Sequence, residues 1–357
     1  MNENPTIFVI NPGSTSTKIA LFKGTEIIFE DELKHPRAEI EQFESISDQR
    51  QYRQDVALKC LQDHKIKLED IDIFVGRGGL LRPIPGGVFT VNQAMLEDLA
   101  SCKFGHHASN LGAPIAQGLA ESQGKNAFIA DPVVVDELCD VARISGHPDL
   151  PRLSIFHALN QKAVAKKAAA KLGKAYDEVN LIVMHAGGGI SIGAHEKGKV
   201  VDVNNALQGE GPFTPERTGG LTALQFYRYA LKNELSEAQA GKMITRSGGL
   251  LAHLGTNDCK HIEEEIEAGN EKFTLVYNAM IYNIGKYIGS LAAALKGKVD
   301  AIVLTGGMVR GDIFVDGITE MVEFIAPVMT FVQNSEMEAL AASALEVHQG
   351  KAQAQTY

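Results

Sequence analysis

Two arginines stand inside glycine-rich sequence, Arg77 in GRGG and Arg217 in TPERTGG. A guanidinium beside glycines can grip a phosphate or a carboxylate through two parallel N–H donors. An arginine on a surface loop has the same local sequence. Two histidines occupy comparable places: His157 follows SIF, and His185 joins LIVM to GGG. Either can donate to a phosphoryl oxygen; either can also pack or cap. Asp131 ends the run FIA. Glycine-rich turns recur at residues 11–16, 76–79, 187–189 and 306–307, each after an apolar run. Turns without side chains let backbone N–H groups approach an anion. One such turn is only a bend, whereas several in equivalent places point to a polyphosphate. The chemistry these residues suit is phosphoryl transfer by alignment and charge neutralisation.

Standard nucleotide motifs are missing. No Gly-x-x-x-x-Gly-Lys-Ser/Thr occurs, which argues against a P-loop. GGGISIG leads into β-prone sequence instead of a helix, unlike a dinucleotide fingerprint. A phosphate-binding hairpin fits better. Cys60, Cys102, Cys139 and Cys259 have no CxxC spacing and read as reduced thiols, and the histidines supply no zinc spacing. The net charge of -10 disfavours a broad nucleic-acid surface but permits a local positive pocket. The amino-terminal sequence lacks a signal-peptide pattern, and polar residues interrupt the longest apolar stretch, from Phe273 to Leu295. The expectation is a cytoplasmic protein without membrane or nucleic-acid partners; a homo-oligomer is left open.

The elements that must position these residues follow from pattern. TIFVI, the turn NPGST and KIALF read as strand, turn, strand. Strands are expected at 71–75, 126–130, 181–184 and 301–304, and in GKVVDVNN. Helices are expected at 92–102, 110–121, 157–172 and 262–267, in a long segment ending near Lys296, and at 336–348. IFVINPGSTSTKIALF and LIVMHAGGGISIGAHEKGKVV share one plan, which suggests two related domains facing a nucleotide cleft. With 357 residues and 45% hydrophobic composition, two domains are also the default from size. A turn-like segment at 148–151 places the boundary near residue 152.

The segments NPGSTSTK, GRGG, HHASNLGAP, FIADP, IFHALN, MHAGGGIS, FTPERTGG and LTGG resemble the acetate and butyrate kinases, the acetokinase family of the sugar kinase, Hsp70 and actin superfamily. The resemblance covers nearly the whole chain. It implies an α/β fold of two ribonuclease-H-like, actin-like ATPase domains. These would be 1–152, completed by a carboxy-terminal helical segment 335–357, and 153–334. The implied reaction is reversible phosphoryl transfer between ATP and a short carboxylic acid, giving ADP and an acyl phosphate, with Mg2+. GRGGLLRPIPGG and HAGGGISIGAHEKG are most similar to the butyrate branch.

Roles follow by position. Asn11, Ser14, Ser16 and Lys18 fall in the first hairpin, near the phosphates. Arg77 and Arg217 match the arginines flanking the reacting group, with Arg77 on the substrate carboxylate. His106, His157 and His185 match active-site histidines, and Asp131 the aspartate that serves magnesium or orients an arginine. Gly187 and Gly189 match a phosphate turn; Gly306 and Gly307 belong to a further one. Asp258 and Lys260 fall at the nucleoside, where lysine replaces a more familiar arginine. Glu338 falls near the magnesium glutamate, and its spacing from Ser335 is also that of a helix capping box. Gly79 and Gly105 replace bulky apolar residues of acetate kinases, so they are expected to open room for a longer alkyl tail beside Phe156.

Overall fold

The computed structural model describes residues 4–332 and 335–357. Twelve strands occur in chain order: β1 Thr6–Pro12, β2 Ser16–Lys23, β3 Glu26–Lys34, β4 Ile73–Arg77, β5 Val88–Thr90, β6 Ala127–Ala130, β7 Asn180–Ala186, β8 Ile190–Glu196, β9 Lys199–Val203, β10 Ala301–Thr305, β11 Val328–Phe331 and β12 Gln355–Thr356. They form two sheets, in the orders β12-β5-β6-β4-β1-β2-β3 and β11-β10-β7-β8-β9.

The two sheets repeat one topology. In the first, β1, β2 and β3 form an antiparallel meander, and β4 and β6 extend it in parallel from β1. In the second, β7, β8 and β9 form the meander, and β10 and β11 extend it in parallel from β7. The shared plan of the two glycine-rich segments is thus a shared hairpin, β1–β2 and β7–β8.

The central strands are apolar without alternation because both faces are covered, as parallel strands require. Ile7, Phe8, Val9 and Ile10 of β1 are all fully buried. In β7 the period of two divides the side chains. Ile182 and Met184 pack with Tyr277, Met280 and Ile284 of the helix Glu271–Ala294. Leu181 and Val183 pack with Val164, Ala165 and Ala168 of the helix Ala158–Lys171. The alanine-rich sequence of that second helix lets it lie close on the sheet.

The chain divides into two compact units, Met1–Val135 with Ser335–Tyr357, and Asp136–Asn334. The first crossing lies earlier than the turn-like sequence at 148–151 suggests. Residues 136–152 are tied to the second unit: the Cys139 N–H donates to the Val201 carbonyl, and Arg152 pairs with Asp202 at 2.7 Å and Glu210 at 2.8 Å. The expected boundary at 334 falls on residues outside those described. The helix Glu336–His348 packs on β1, β4 and β6 of the first unit. Among the described residues, no helix is long and apolar enough to cross a membrane.

Candidate active site

In the first unit, β1 and β4 run parallel with Ile10 opposite Gly76, which brings their carboxyl ends together. Asn11 and Arg77 stand at those ends. Glu336, the first residue of the last long helix, meets both. Its Oε2 accepts from Asn11 Nδ2 at 2.8 Å and from Arg77 Nη1 at 3.0 Å, and Arg77 Nη1 also donates to Asn11 Oδ1 at 3.3 Å. A carboxylate therefore fixes the guanidinium while its remaining donors keep their directions.

Glu336, and not Glu338, is the residue in this cluster; Glu338 is exposed. Ser335 caps the helix by accepting from the Met337 N–H at 3.1 Å. The pattern held a signal for Glu336. It lies four residues before Leu340 and eight before Ala344, on the buried stripe, whereas Glu338 lies four before the exposed Ala342.

Asp131 follows β6 at φ +37°, a conformation aspartate tolerates better than most side chains. It is buried, and its Oδ1 accepts from the Gly87 N–H at 2.7 Å. Of the first-hairpin candidates, Ser14 and Lys18 are exposed, and Ser16 donates to Glu32 at 2.8 Å. His106 is exposed.

The two glycines expected to widen an acyl pocket do not open voids. A Cβ on Gly79 would lie 2.6 Å from the Asn110 Cα and 2.8 Å from a Leu99 methyl. A Cβ on Gly105 would lie 2.9 Å from Leu80, and its φ of +126° itself demands glycine. Neighbouring groups fill the space that the missing side chains vacate.

In the second unit, His157 and His185 stack with ring centroids 4.0 Å apart. His185 Nδ1 lies 2.9 Å from Asn160 Oδ1, so that nitrogen carries a proton. Ser191 Oγ accepts from Gln161 Nε2 at 2.8 Å and from the His157 backbone N–H at 3.4 Å, which fills both lone pairs, and it lies 2.8 Å from His157 Nδ1. The hydroxyl proton then points at His157 Nδ1, which makes Nε2–H the ring's donor. Behind Gln161 the buried His195 is 3.0 Å from Gln161 Oε1 and 2.7 Å from the Tyr176 hydroxyl. Burial lowers the His195 pKa to about 3. Asn160, Gln161 and Ser191 were not singled out from sequence. A polar pair inside the otherwise alanine-rich helix that follows His157 was the available signal.

The turn between β7 and β8 closes through Gly187 N–H donating to the Gly189 carbonyl at 3.0 Å. Arg217 lies against it, since a Cβ on Gly189 would overlap the guanidinium. Thr214 binds this arrangement by donating to the Gly188 carbonyl at 2.7 Å and accepting from the Arg217 N–H at 3.0 Å. Arg217 Nη1 donates to the Ala206 carbonyl. Its Nε is buried without a hydrogen-bond partner among the described residues, and burial lowers its pKa. A buried unpaired N–H costs about 1–3 kcal/mol, which an anion would relieve.

Gly306 follows β10, whose Thr305 pairs with His185, and takes φ +99° against the Ala186 backbone. A Cβ on Gly307 would meet nothing within 4 Å. Asp258 is exposed and caps the helix Cys259–Glu267, accepting from Lys260 N–H at 3.1 Å and His261 N–H at 3.3 Å. Lys260 is exposed, and its Nζ lies 3.9 Å from Glu264. Phe156, also in this unit, is buried.

One further group of donors converges elsewhere: Asp31, Cys60 and His64. His64 Nε2 lies 2.6 Å from Asp31 Oδ2, while two ligands of one tetrahedral zinc stand about 3.3 Å apart. Cys60 donates to the same oxygen at 3.3 Å, and burial first, then Asp31, pushes its thiol up to about 12. The trio is a hydrogen-bonded contact between β3 and the helix Arg50–Asp63.

The acetokinase family profile matches residues 152–327. Butyrate kinase 2 from Clostridium acetobutylicum is 48% identical over 98% of this chain and 99% of its own length. A probable butyrate kinase from Coprothermobacter proteolyticus is 49% identical with the same coverage. The crystal structure of Porphyromonas gingivalis acetate kinase has a TM-score of 0.77 at 21% identity, covering 96% of this chain and 100% of that one. That likeness shows the fold, two sheets that share one five-strand order with helices packed on them. With near full-length identity of this order, the chain belongs to the acetokinase family.

Proposed function

We propose that the protein transfers the γ-phosphoryl group of ATP to butyrate, giving ADP and butanoyl phosphate, and runs the reverse reaction. The observation that carries this reading is the 48% identity to Butyrate kinase 2 across both chains. The buried Nε of Arg217, without a partner among the described residues, lies beside the glycine turn and supports an anion there.

A carboxylate is ionised near neutral pH and needs no general base. One of its oxygens attacks the γ-phosphorus while the bond to the β,γ-bridging oxygen breaks, and ADP leaves. Arg77, held by Glu336 and Asn11, binds and orients the carboxylate. Arg217 and the Nε2–H of His157 stabilise charge on the transferring oxygens. The turns at residues 11–16, 187–189 and 306–307 receive nucleotide phosphates, and Asp258 and Lys260 are assigned to the nucleoside. Asp131 and Glu336 offer carboxylate oxygens, the donor type a hard cation requires, so both fit magnesium, which holds most of its waters. Magnesium would supply charge neutralisation at the nucleotide phosphates. The protein is assigned to the cytoplasm.

The preference for butyrate over acetate rests on the relatives, since Gly79 and Gly105 leave no voids along their Cβ directions. Acetate, propionate and isobutyrate are the alternative acceptors, and a non-catalytic ATP-binding protein is the alternative class. The test is acyl hydroxamate formation with ATP and magnesium across acetate, propionate, butyrate, isobutyrate and valerate. The highest kcat/KM is expected for butyrate. A clear preference for acetate or isobutyrate reassigns the acceptor, and no turnover with any acid removes the enzyme reading.

A further inference from the structure

The helix Arg50–Asp63 buries Arg53, Ala57, Cys60 and Leu61 along one stripe. An arginine in that stripe is costly, because desolvation penalises its charge. Arg53 is 1% exposed, and no carboxylate pairs with it among the described residues. Its partners are all neutral oxygens. Nη1 donates to the Gly13 carbonyl at 2.7 Å and to the Ser16 carbonyl and Thr17 Oγ1, each at 3.2 Å. Nη2 donates to the Ser14 carbonyl at 3.1 Å and to Gln49 Oε1 at 2.8 Å, and Nε to the same Gln49 oxygen at 3.1 Å. Thr17 Oγ1 in turn lies 2.8 Å from Nε2 of the buried His35. The whole fork is thus spent on one turn and on the Gln49 side chain that braces it.

Peptide geometry gives this arrangement a direction. In a trans peptide the C=O and the following N–H point opposite ways. Drawing the Gly13 and Ser14 carbonyls onto Arg53 turns the N–H groups of Ser14 and Thr15 away from it. Neither N–H has a partner among the described residues, and both residues are exposed. Outward N–H groups in series form an anion-binding concavity, and the cation beneath adds to its field.

We infer that Arg53 is a positioning residue for the nucleotide: from beneath the turn at 11–16 it gathers the carbonyls, aims the Ser14 and Thr15 N–H groups at a phosphate, and supplies the turn with a fixed positive charge. This deepens the phosphate-turn assignment of the proposed function and rests on it. Among the described residues no ion pair neutralises the charge, so a bound polyphosphate becomes its counter-ion.

The experiment measures ADP and ATP affinity by calorimetry, and kcat and both KM values, for the full chain and for Arg53→Lys. Lysine keeps the charge and most of the stem but donates from a single nitrogen, so it cannot span the turn carbonyls and Gln49 together. With the melting temperature retained, nucleotide affinity should fall about tenfold or more, as expected for lost charged hydrogen bonds. The KM for the acid should change less than twofold. A purely structural arginine would lower the active fraction and leave both KM values unchanged. A folded Arg53→Lys protein with wild-type nucleotide affinity, or with equal rises in both KM values, overturns the inference. Should Arg53→Lys fail to fold, Gln49→Leu applies the same criteria, because Gln49 braces the guanidinium without touching the turn. Failure of the functional reading is separate: a wild-type chain that binds no nucleotide overturns it and this inference together, before any variant is compared.

Discussion

The β1–β2 and β7–β8 turns occupy the same place in the five-strand order that the two sheets share, yet they are held by opposite means. Behind the first lies a buried cation whose donors all go to neutral oxygens. Behind the second lies an uncharged chain: the Tyr176 hydroxyl, His195, Gln161 and Ser191, ending at His157. The second turn's cation, Arg217, lies against its glycine face with one N–H unpaired among the described residues. A cation spent on a turn fixes backbone directions, whereas a cation with an unmet donor can still respond to the changing charge of a reacting group. The difference predicts that the first turn governs binding and the second governs turnover.

The largest effect should follow loss of the unmet donor. Arg217→Ala should keep its fold and lose about a thousandfold in kcat, the upper end for removing one transition-state donor. Near-normal turnover in a folded variant would erase the distinction between the turns. Next in size is the carboxylate on Arg77. Glu336→Gln should cost about a hundredfold in turnover through a misdirected guanidinium and weakened magnesium response, the upper end for removing a group that orients a ligand. Glu338→Gln, two residues on, should stay within about threefold, a change worth less than 1 kcal/mol. A reversed order in steady-state assays would return the role to Glu338.

Ser191→Ala sharpens the account of the uncharged chain. Without the hydroxyl, the preference for Nε2–H on His157 is lost, and kcat should fall about tenfold with nucleotide affinity unchanged. The pH profile of kcat should shift as well, and an unshifted profile would mean that Ser191 merely packs. The smallest effect is on stability. His35 sits beside the first turn with its pKa lowered to about 4, by burial first and then by Arg53. His195 behind the second is lowered to about 3, by burial first and then by Lys162. Both folded values lie below the ordinary 6.5, so the unfolded chain binds protons first. Stability is therefore full above pH 6.5 and falls as pH drops towards about 4, at about 1.4 kcal/mol per unit for each histidine in that window. Urea midpoints at pH 5 and pH 7 should differ less in His35→Gln than in the wild type. An unchanged difference would show that His35 does not contribute.

Much of this was legible in sequence because it is local. The strands carrying Asn11, Arg77 and His185 are runs of β-branched and aliphatic residues with glycines at their ends. The family resemblance was confirmed by the near full-length relatives. The supports behind the turns are nonlocal. Arg53 lies 40 residues from Gly13, and Glu336 lies 259 from Arg77. Periodicity still marked both: each is a charged residue on a buried helix stripe, an exception that calls for a partner. The crossing near residue 135 was hidden for a different reason. The turn-like composition at 148–151 reports flexibility of sequence, whereas Arg152 anchors that segment through ion pairs with Asp202 and Glu210. The acyl argument gains no support from the Cβ directions, since Asn110 and Leu99 close in on Gly79.

The first unit is sewn from both sides of the second, with residues 335–357 supplying a helix on β1, β4 and β6 and the short strand β12. During synthesis, amino-terminal units ordinarily settle first. Here the order inverts. The Asp136–Asn334 unit can form while the first still lacks the helix that covers its central strands and the Glu336 carboxylate that fixes Arg77. Until residues 335–357 have been made, the nascent first sheet exposes apolar strand faces to the cell, so chaperone engagement should concentrate on this unit until that segment has emerged.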